Sequence, residues 1–378
     1  MAELVFWLSA LLIGYTYAGY PLALAILMRL RSRPVLRSDI TPPITVIVAA
    51  YNEERSIGAK IADLLAQDYP PGSKEVIIVS DGSIDGTDEI VRQHQASGLR
   101  YLRVEDRQGK SAAQNAAAEI AHGEILVFTD ATTRLEPGAL RRIVRGFADD
   151  TVGCVGGKLS YASRGGSGTG AGGESYWRYE RSIKRMEGAI SSLIGVSGCF
   201  YAVRKRLYEK VPPNLISDFA IALMIYEKGY RIIYEEAARC LEETLESGER
   251  ELSMRIRVAL RTYSALWAKR HLLSPARYGL YAFQLISHKV LRYAVPLLLI
   301  ALFVSNLTLR GEPLYTLAFI VQATGYASAL AGWVLQGRGP AGNLLNKPYY
   351  FVLANLAALI ALLRFVRGQE MVVWTPVR

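Results

Sequence analysis

The chain has 378 residues, of which 51% are hydrophobic and 21% charged, with a formal net charge of +10. That length exceeds one ordinary core and the apolar share is high for a protein wholly in water, so part of the chain is expected in lipid. The positive balance does not point to nucleic acid, because no basic stripe interleaved with aromatic residues and no recognition motif is present. Much of the excess flanks apolar stretches, at 29–37 and 364–367, where anionic lipid headgroups account for it.

Residues 4–30 form the first apolar stretch, longer than the ~20 residues that cross a bilayer. Glu3 stands where a signal peptide would be basic, and no small-residue cleavage site precedes Arg29, so the stretch reads as a retained helix. Arg29, Arg31, Arg33 and Arg37 follow at once, which by the positive-inside rule puts the start of the chain outside and the next unit in the cytoplasm. The expected division is therefore 1–40, a spanning helix and basic linker; 41–270, a water-soluble domain; and 271–378, a membrane-associated remainder. Cys154, Cys199 and Cys240 show no metal spacing and suit a reducing compartment.

After Pro42 and Pro43, ITVIVAAY (44–51) is a continuous β-branched run, as in a strand buried on both faces. Asn52, Glu53 and Glu54 then open a helical pattern through Ile57, Ile61, Leu64 and Leu65. A second strand, EVIIV (75–79), runs into Asp81, Gly82 and Ser83, and residues 83–87 can cap a helix over 88–95. Residues 99–104 read as a third short strand. GKSAAQNAAAEIAHGEILVFTD (109–130) supplies an Ala-rich helix, a stop at Gly123 and a fourth strand that again ends on an acid, Asp130. This alternation over ~90 residues predicts an α/β fold, a mostly parallel Rossmann-like sheet with helices on both sides.

Ligands of such sheets bind beyond the carboxyl ends of the strands, so Asp81 and Asp130 are expected to end neighbouring strands and face one crevice. Asp, Gly, Ser and Thr after a strand are also ordinary turn chemistry, so either acid alone is ambiguous. With Glu53 the acidic strand ends number three, and the helix starts beside them offer N–H groups suited to phosphate.

Further along, RGGSGTGAGG (164–173) lacks the Lys-Ser/Thr ending of a phosphate loop and reads as a mobile cover or linker. His94, His122, His271 and His288 share no ligand spacing. Residues 276–293 are aromatic, basic and amphipathic, as in a helix lying in the interface or in the start of a longer tilted one. Three more apolar stretches follow, at 290–304, 314–335 and 349–366. One span before the domain and three after it would strand Arg364, Arg367 and Arg378 outside. Either the last stretch is re-entrant or interfacial, or the charge rule yields at this end.

Seven segments, AAYNEE (49–54), SDGSIDGT (80–87), GKSAAQN (109–115), FTDAT (128–132), SGCFYAVRK (197–205), ISDF (216–219) and RIRVALR (255–261), carry a resemblance in this order. Together, over residues 42–267, the chain resembles the membrane-integrated family 2 glycosyltransferases, the group containing hyaluronan, chitin-oligosaccharide and cellulose synthases. The resemblance implies a GT-A fold binding a nucleotide sugar, usually a UDP-sugar. Matched residue by residue, Tyr51, Glu53 and Asp81 resemble uridine contacts, and Lys110 a group near the uracil or the diphosphate. Asp130 resembles the first acid of the family's Asp-x-Asp motif, which faces the diphosphate and its divalent cation, Mg²⁺ or Mn²⁺. Thr132 stands where a second Asp is common, so the cation has one charged ligand fewer.

Asp218 resembles the family's catalytic aspartate, in a position often written Thr-Glu-Asp. An inverting transfer needs a base to take the acceptor hydroxyl proton, which a carboxylate within hydrogen-bond reach supplies. The same residue suits the N-terminus of a helix over 219–228, and the two roles are compatible. Arg257 and Arg261 loosely resemble the Gln-x-x-Arg-Trp segment, without its tryptophan, and imply diphosphate contacts, guanidinium forks matching phosphate oxygens. Gly198 and Cys199 align with a segment lining the acceptor site, although a cysteine packing as a small apolar residue explains Cys199 equally well.

The implied activity is transfer from a nucleotide-sugar donor to a lipid-linked or growing polysaccharide acceptor. The place is the inner (plasma) membrane, with several crossings, a cytoplasmic catalytic domain, bound membrane lipids and, if product is exported, a homo-oligomer. The alternatives are a polyprenyl-phosphate glycosyltransferase, whose anionic acceptor needs no base, and a non-catalytic nucleotide-binding scaffold.

Overall fold

The computed structural model describes residues 1–95, 98–162, 169–243, 248–335 and 339–373. Helices α1 (Ala2–Gly14) and α2 (Tyr20–Leu30) are joined by a π-helical turn, Tyr15–Gly19, into one apolar rod of 29 residues. At 1.5 Å per residue it is about 44 Å long, enough to cross a hydrocarbon core of ~30 Å.

Strand β1 (Ile44–Ala50) follows the linker, and its Ile44, Val46, Ile47 and Val48 are all buried because helices cover both faces. The alternation then continues through α3 (Ile57–Ala66), β2 (Lys74–Asp81), α4 (Thr87–Gln93), β3 (Leu99–Val104), α5 (Lys110–Ile120) and β4 (Ile125–Asp130). The helix expected to open at Asn52 starts five residues later. Asn52 sits at φ 52°, and its Oδ1 accepts from the Ile84 N–H at 2.9 Å, so residues 51–56 are a loop tied to the loop after β2.

After β5 (Arg134–Leu135) and α6 (Ala139–Val144) come β6 (Val152–Ala162), α7 (Thr169–Ile190), β7 (Phe200–Arg204), α8 (Ser217–Glu227), β8 (Arg231–Glu243) and α9 (Gly248–Ala268). Of the glycine-rich stretch 164–173, residues 164–168 lie outside the described ones, and from Thr169 the chain is helical. The strands form one sheet in the order β3-β2-β1-β4-β7-β6-β8-β5. Its first four strands are parallel, β7 runs antiparallel to both neighbours, and β8 is parallel to β6. Asp81 and Asp130 therefore do not end neighbouring strands: β1 lies between and pairs with both. They flank the end of β1 at one rim, two ladder spacings or about 10 Å apart.

Each face of the sheet has its own core. Ile47, Ile77, Val79 and Phe128 pack under α5 and α8 through Ala113, Ala117, Phe219 and Leu223, while Val46, Val48, Ile78 and Val127 pack under α3 and α6 through Ile57, Ile61, Leu64 and Ile143. Polar strand ends are thus the part of β1, β2 and β4 left outside both cores.

Helix α10 (Pro275–Leu285) is kinked at Gly279 and continues through a π-helical turn, Ile286–Val290, into α11 (Leu291–Thr308). The amphipathic segment 276–293 is therefore the start of a longer helix. With α12 (Pro313–Leu335) and α13 (Gly339–Val366) there are, among the described residues, four helical stretches long and apolar enough to cross a bilayer: Ala2–Leu30, Pro275–Thr308, Pro313–Leu335 and Leu344–Val366. Phe6 at the start of α1 meets Tyr315 at the start of α12 edge-on at 5.0 Å, so those two ends share one side. The last helix behaves differently. α13 runs beside α9, with Ala357 and Ala361 packed on Ile256, Ala259 and Leu260, and Phe365 on Tyr263 at 5.8 Å. Beyond it the chain returns to the sheet domain, where Asn214 Nδ2 donates to Glu370 Oε1 at 3.0 Å and Met371 joins the Ile256 cluster. Arg378 lies outside the described residues.

Candidate active site

The carboxyl ends of β2, β1 and β4 open onto one rim. Tyr51 follows β1, and the Arg107 guanidinium stacks on its ring with Cζ 3.7 Å from the centroid. Nε and Nη2 of Arg107 are buried without a hydrogen-bond partner among the described residues. The Glu53 N–H donates to Thr87 Oγ1 at 2.6 Å, and its Oε2 accepts from Ser56 Oγ at 2.5 Å. The Asn52 N–H donates to Ser83 Oγ at 3.1 Å, which sews the loops after β1 and β2 together. Asp81 is 4% exposed and accepts from the N–H groups of Gln108 and Gly109, both at 2.8 Å. Those two bonds fold residues 105–109 over the strand end. They also need Gly109 at φ +91°, a conformation that only glycine adopts without strain.

Lys110 opens α5 and reaches across the rim. Its Nζ donates to Asp130 Oδ1 and to the Gly198 carbonyl, the latter at 3.2 Å. Burial works against this ammonium, but the Asp130 charge and hydrogen bond outweigh it, and the Lys110 pKa is held above its ordinary value. Behind Asp130 lies Lys60, 2% exposed, which donates to Thr129 Oγ1 at 3.0 Å and to the Thr133 carbonyl at 2.6 Å, with Asp63 at 3.6 Å. Burial pushes Lys60 down to about 8, against the pull of Asp63 and Asp130. At the end of β8, Glu242 is raised to about 7 by burial and then by the Asp130 charge, with Lys110 acting the other way. Sequence reasoning misses Arg107, Lys60 and Glu242. Lys60 looks like a polar position on an amphipathic helix, and Glu242 is one acid among several.

Asp218 is the second residue of α8, where the helix N-terminus favours its charge. Its Oδ2 lies 2.8 Å from the point that a Cβ on Gly198 would occupy, and its Oδ1 is buried without a partner. Gly198 is thus demanded by close approach. Cys199 is buried beside it with Sγ 3.8 Å from Cys240 Sγ, and the thiol contact and burial raise its pKa well above the ordinary range. It packs as a neutral group.

Arg261 is held locally through Nη2, while its Nε is buried without a hydrogen-bond partner among the described residues. Its Nη2 donates to Ser111 Oγ at 3.0 Å, to the Pro213 carbonyl at 2.9 Å and to the Leu215 carbonyl, which clamps the approach to α8 against α5. Arg257, one turn earlier on α9, is lowered to about 10 by burial and by Arg261, with Asp130 pulling the other way. The structure therefore gathers Lys110, Asp130, Gly198, Asp218 and Arg257 around one centre. Tyr51 and Asp81 form an adjoining wall through the 105–109 loop, Glu53 is tied to Thr87 after β2, and Arg261 positions the segment that carries Asp218.

A divalent cation has a partial donor set here. Among the described residues, no group of three or more His, Cys, Asp or Glu side chains could hold a metal ion alone. Asp130 offers oxygen, Glu242 offers more within reach of the same charge, and their mutual repulsion is one that a cation would relieve. Thr132 is exposed. The residues fit a hard cation shared with substrate phosphate oxygens, not one caged by the protein.

Residues 45–211 match the family model described as Glycosyl transferase family 2. The chain is similar to the poly-beta-1,6-N-acetyl-D-glucosamine synthase of Staphylococcus aureus, 26% identical over 217 residues that make up 56% of this chain and 52% of that protein. It is also similar to glycosyltransferase AglE of Haloferax volcanii, 34% identical over 122 residues, 32% of this chain and 40% of AglE. The matches thus span about half the length of these relatives, or less. Among solved structures it is similar to the mannosyltransferase PcManGT of Pyrobaculum calidifontis in complex with GDP-Man and Mn²⁺, with a TM-score of 0.73 and 23% identity, covering 98% of this chain and 100% of that one. At that identity the likeness bears on the fold alone.

Proposed function

The chain belongs to glycosyltransferase family 2 through residues 45–211 and has the GT-A fold, and on that premise we propose that it transfers a sugar, with inversion, from a nucleotide-sugar donor, a UDP-sugar, to a lipid-linked or growing polysaccharide acceptor. One observation carries the reading. Asp218 rests its Oδ2 against Gly198 and keeps its Oδ1 buried and without a hydrogen-bond partner among the described residues, and the Gly198 carbonyl is bonded by the same Lys110 that pairs with Asp130. A base and a diphosphate site thus lie on either side of one residue.

In this reading Tyr51 and Arg107 hold the uracil of the donor, with Glu53 and Asp81 shaping the wall beside it. The diphosphate lies over Lys110 and the start of α5, near Arg257. When bound, Mg²⁺ or Mn²⁺ held by Asp130 and Glu242 offsets charge on the departing diphosphate. Asp218 accepts the hydroxyl proton as the acceptor oxygen bonds to the anomeric carbon. The bond from that carbon to the diphosphate breaks on the opposite face, the diphosphate leaves with the electron pair, and configuration inverts. Lys110 stabilises the oxygen that departs, and Gly198 and Cys199 line the acceptor side.

The apolar helices and the similarity to a polysaccharide synthase support a multi-pass protein of the inner (plasma) membrane, with residues 41–270 as its cytoplasmic catalytic unit between 1–40 and 271–378. Of the four candidate helices, the last packs along α9 and returns the chain to the sheet domain, which supports an interfacial α13. Three crossings then leave Arg364 and Arg367 in the cytoplasm, as the positive-inside rule expects.

The test is Asp218→Asn in the purified full chain. Transfer is expected to fall about 10³-fold, the weight of a general base, with nucleoside diphosphate affinity kept within about twofold. Undiminished transfer by that variant removes the base and favours a polyprenyl-phosphate acceptor. Silence of the wild type towards every nucleotide sugar, with Mg²⁺ and with Mn²⁺, favours a scaffold.

A further inference from the structure

A second set of cations lies between Asp218 and the membrane helices. α7 carries Glu180, Lys184 and Glu187 at spacings of four and three, hence on one face. Facing them, the helix Pro275–Thr308 carries His288, Lys289 and Arg292. Both carboxylates are engaged, Glu187 through Oε1 alone among the described residues. Glu187, 0% exposed, accepts from Tyr20 Oη at 2.6 Å and pairs with His288 Nδ1 at 2.8 Å. Glu180 pairs with Arg292 and stands 3.4 Å from His288 Nε2.

Lys184 and Lys289 are left over. Lys184 Nζ donates to Ser197 Oγ at 3.0 Å, and Lys289 Nζ sits 5.2 Å above the ring of Phe219, the residue after Asp218. Among the described residues neither ammonium has a carboxylate within 4.0 Å. They are close enough for like charge to act: burial lowers the Lys184 pKa and Lys289 lowers it further, while Glu180 and Asp218 pull the other way. Two ammonium groups drawn partly out of water and towards each other cost free energy unless an anion completes the set.

The donor diphosphate does not meet that need, because its cations, Lys110 and Arg257, lie on the Asp130 side. Lys184 holds Ser197, which precedes the Gly198 against which Asp218 rests, so the ammonium pair borders the other side of the base. Lys289 also belongs to a helix that enters the bilayer, so an anion there is within reach of a lipid tail. A neutral polysaccharide hydroxyl would call for no cation at this place.

Resting on the glycosyltransferase reading above, we propose that Lys184 and Lys289 form a subsite for the phosphate of a membrane-anchored acceptor, the phosphate that joins a lipid to the sugar whose hydroxyl is presented to Asp218. The pair fixes the acceptor by its charge and leaves the sugar to the Gly198–Cys199 wall.

The experiment uses the full chain in phosphatidylcholine nanodiscs, with farnesyl phosphate as probe and farnesol as its uncharged control. Farnesyl phosphate is expected to bind at least about tenfold more tightly than farnesol, as a charge-assisted contact would give. Lys184→Gln and Lys289→Gln should each weaken the probe about tenfold, with nucleoside diphosphate affinity kept within about twofold, while Lys184→Arg and Lys289→Arg retain the probe. Equal binding of farnesol, or glutamine variants that bind the probe as the wild type does, overturns the subsite. So does an equal loss of nucleoside diphosphate affinity, which would give these lysines to the donor. Displacement of the probe by phosphatidylglycerol at equal concentration also overturns it, by making the site one for bulk headgroups. A wild type that binds no nucleoside diphosphate sinks the glycosyltransferase reading instead, and the farnesyl phosphate result still decides the subsite.

Discussion

Replacing Gly198 by alanine tests the placement of the base without removing it. A Cβ at 198 would lie 2.8 Å from Asp218 Oδ2 and 3.3 Å from its Cγ, where ordinary contact begins at 3.4 Å. The carboxylate must retreat by about 0.6 Å, and it does so by side-chain rotation, because buried Phe219, Ala220 and Ile221 fix the backbone of α8. The clash is with a rotatable group, so the stability cost should stay near 1 kcal/mol. The catalytic cost is larger. Misplacement by ~1 Å is worth about 10²-fold, so a shift of about 0.6 Å should lower kcat by roughly ten- to a hundredfold, or about 1.4 to 2.7 kcal/mol on the barrier. Initial transfer rates, thermal melting and nucleoside diphosphate titration on one preparation separate these effects. Lys110 bonds the Gly198 carbonyl, which the substitution leaves in place, so diphosphate affinity should hold within about twofold. Wild-type kcat in Gly198→Ala, or a fall in diphosphate affinity equal to the fall in rate, would refute the geometry.

Three further outcomes are expected. Lys60 sits near 8 when folded against 10.5 unfolded, so the folded protein binds fewer protons between those values and stability rises with pH across that window. The penalty at pH 7 is about 3 kcal/mol; Lys60→Met removes the slope, and melting curves of the two proteins between pH 7.5 and about 10 should converge or cross in favour of the wild type. Glu187→Ala leaves Tyr20 Oη and His288 Nδ1 without their acceptor and should cost about 3 kcal/mol, read as a lower Tm, while nucleoside diphosphate binding survives. Gln369→Cys supplies an exposed thiol beyond α13 in a chain whose own cysteines are buried, and a membrane-impermeant maleimide should label it only in inside-out vesicles. Labelling from the periplasmic face would make α13 a crossing.

What the sequence can and cannot say follows from what periodicity reports. A run such as residues 44–50 records that both faces are covered, and β1 falls where that run lies. It does not record the neighbour. β1, β2 and β4 carry the same apolar signal, so β1's place between the two acid-tipped strands and the reversal of β7 come only from pairing. The family-like segments point to Lys110, Asp130, Asp218 and Arg261, but they do not record that Arg261 Nη2 is bound to three protein oxygens.

Charge is the least legible property, because its meaning depends on partners distant in the chain. The arginines at 29–37 are legible because they cluster beside an apolar run, a local pattern. Lys289 and Arg292 sit three residues apart on one helix and look alike, yet Arg292 is neutralised by Glu180, 112 residues away, and Lys289 sits over an aromatic ring with no carboxylate within 4.0 Å among the described residues. The same holds for Lys60 and Lys110: the first is sealed beneath β4 and loses affinity for its proton, while the second meets Asp130 and holds its proton more tightly. Composition counts all four as one positive charge each. What separates a structural cation from one held ready for a ligand is whether folding brings it a carboxylate, and among the described residues Lys184 and Lys289 have none within 4.0 Å.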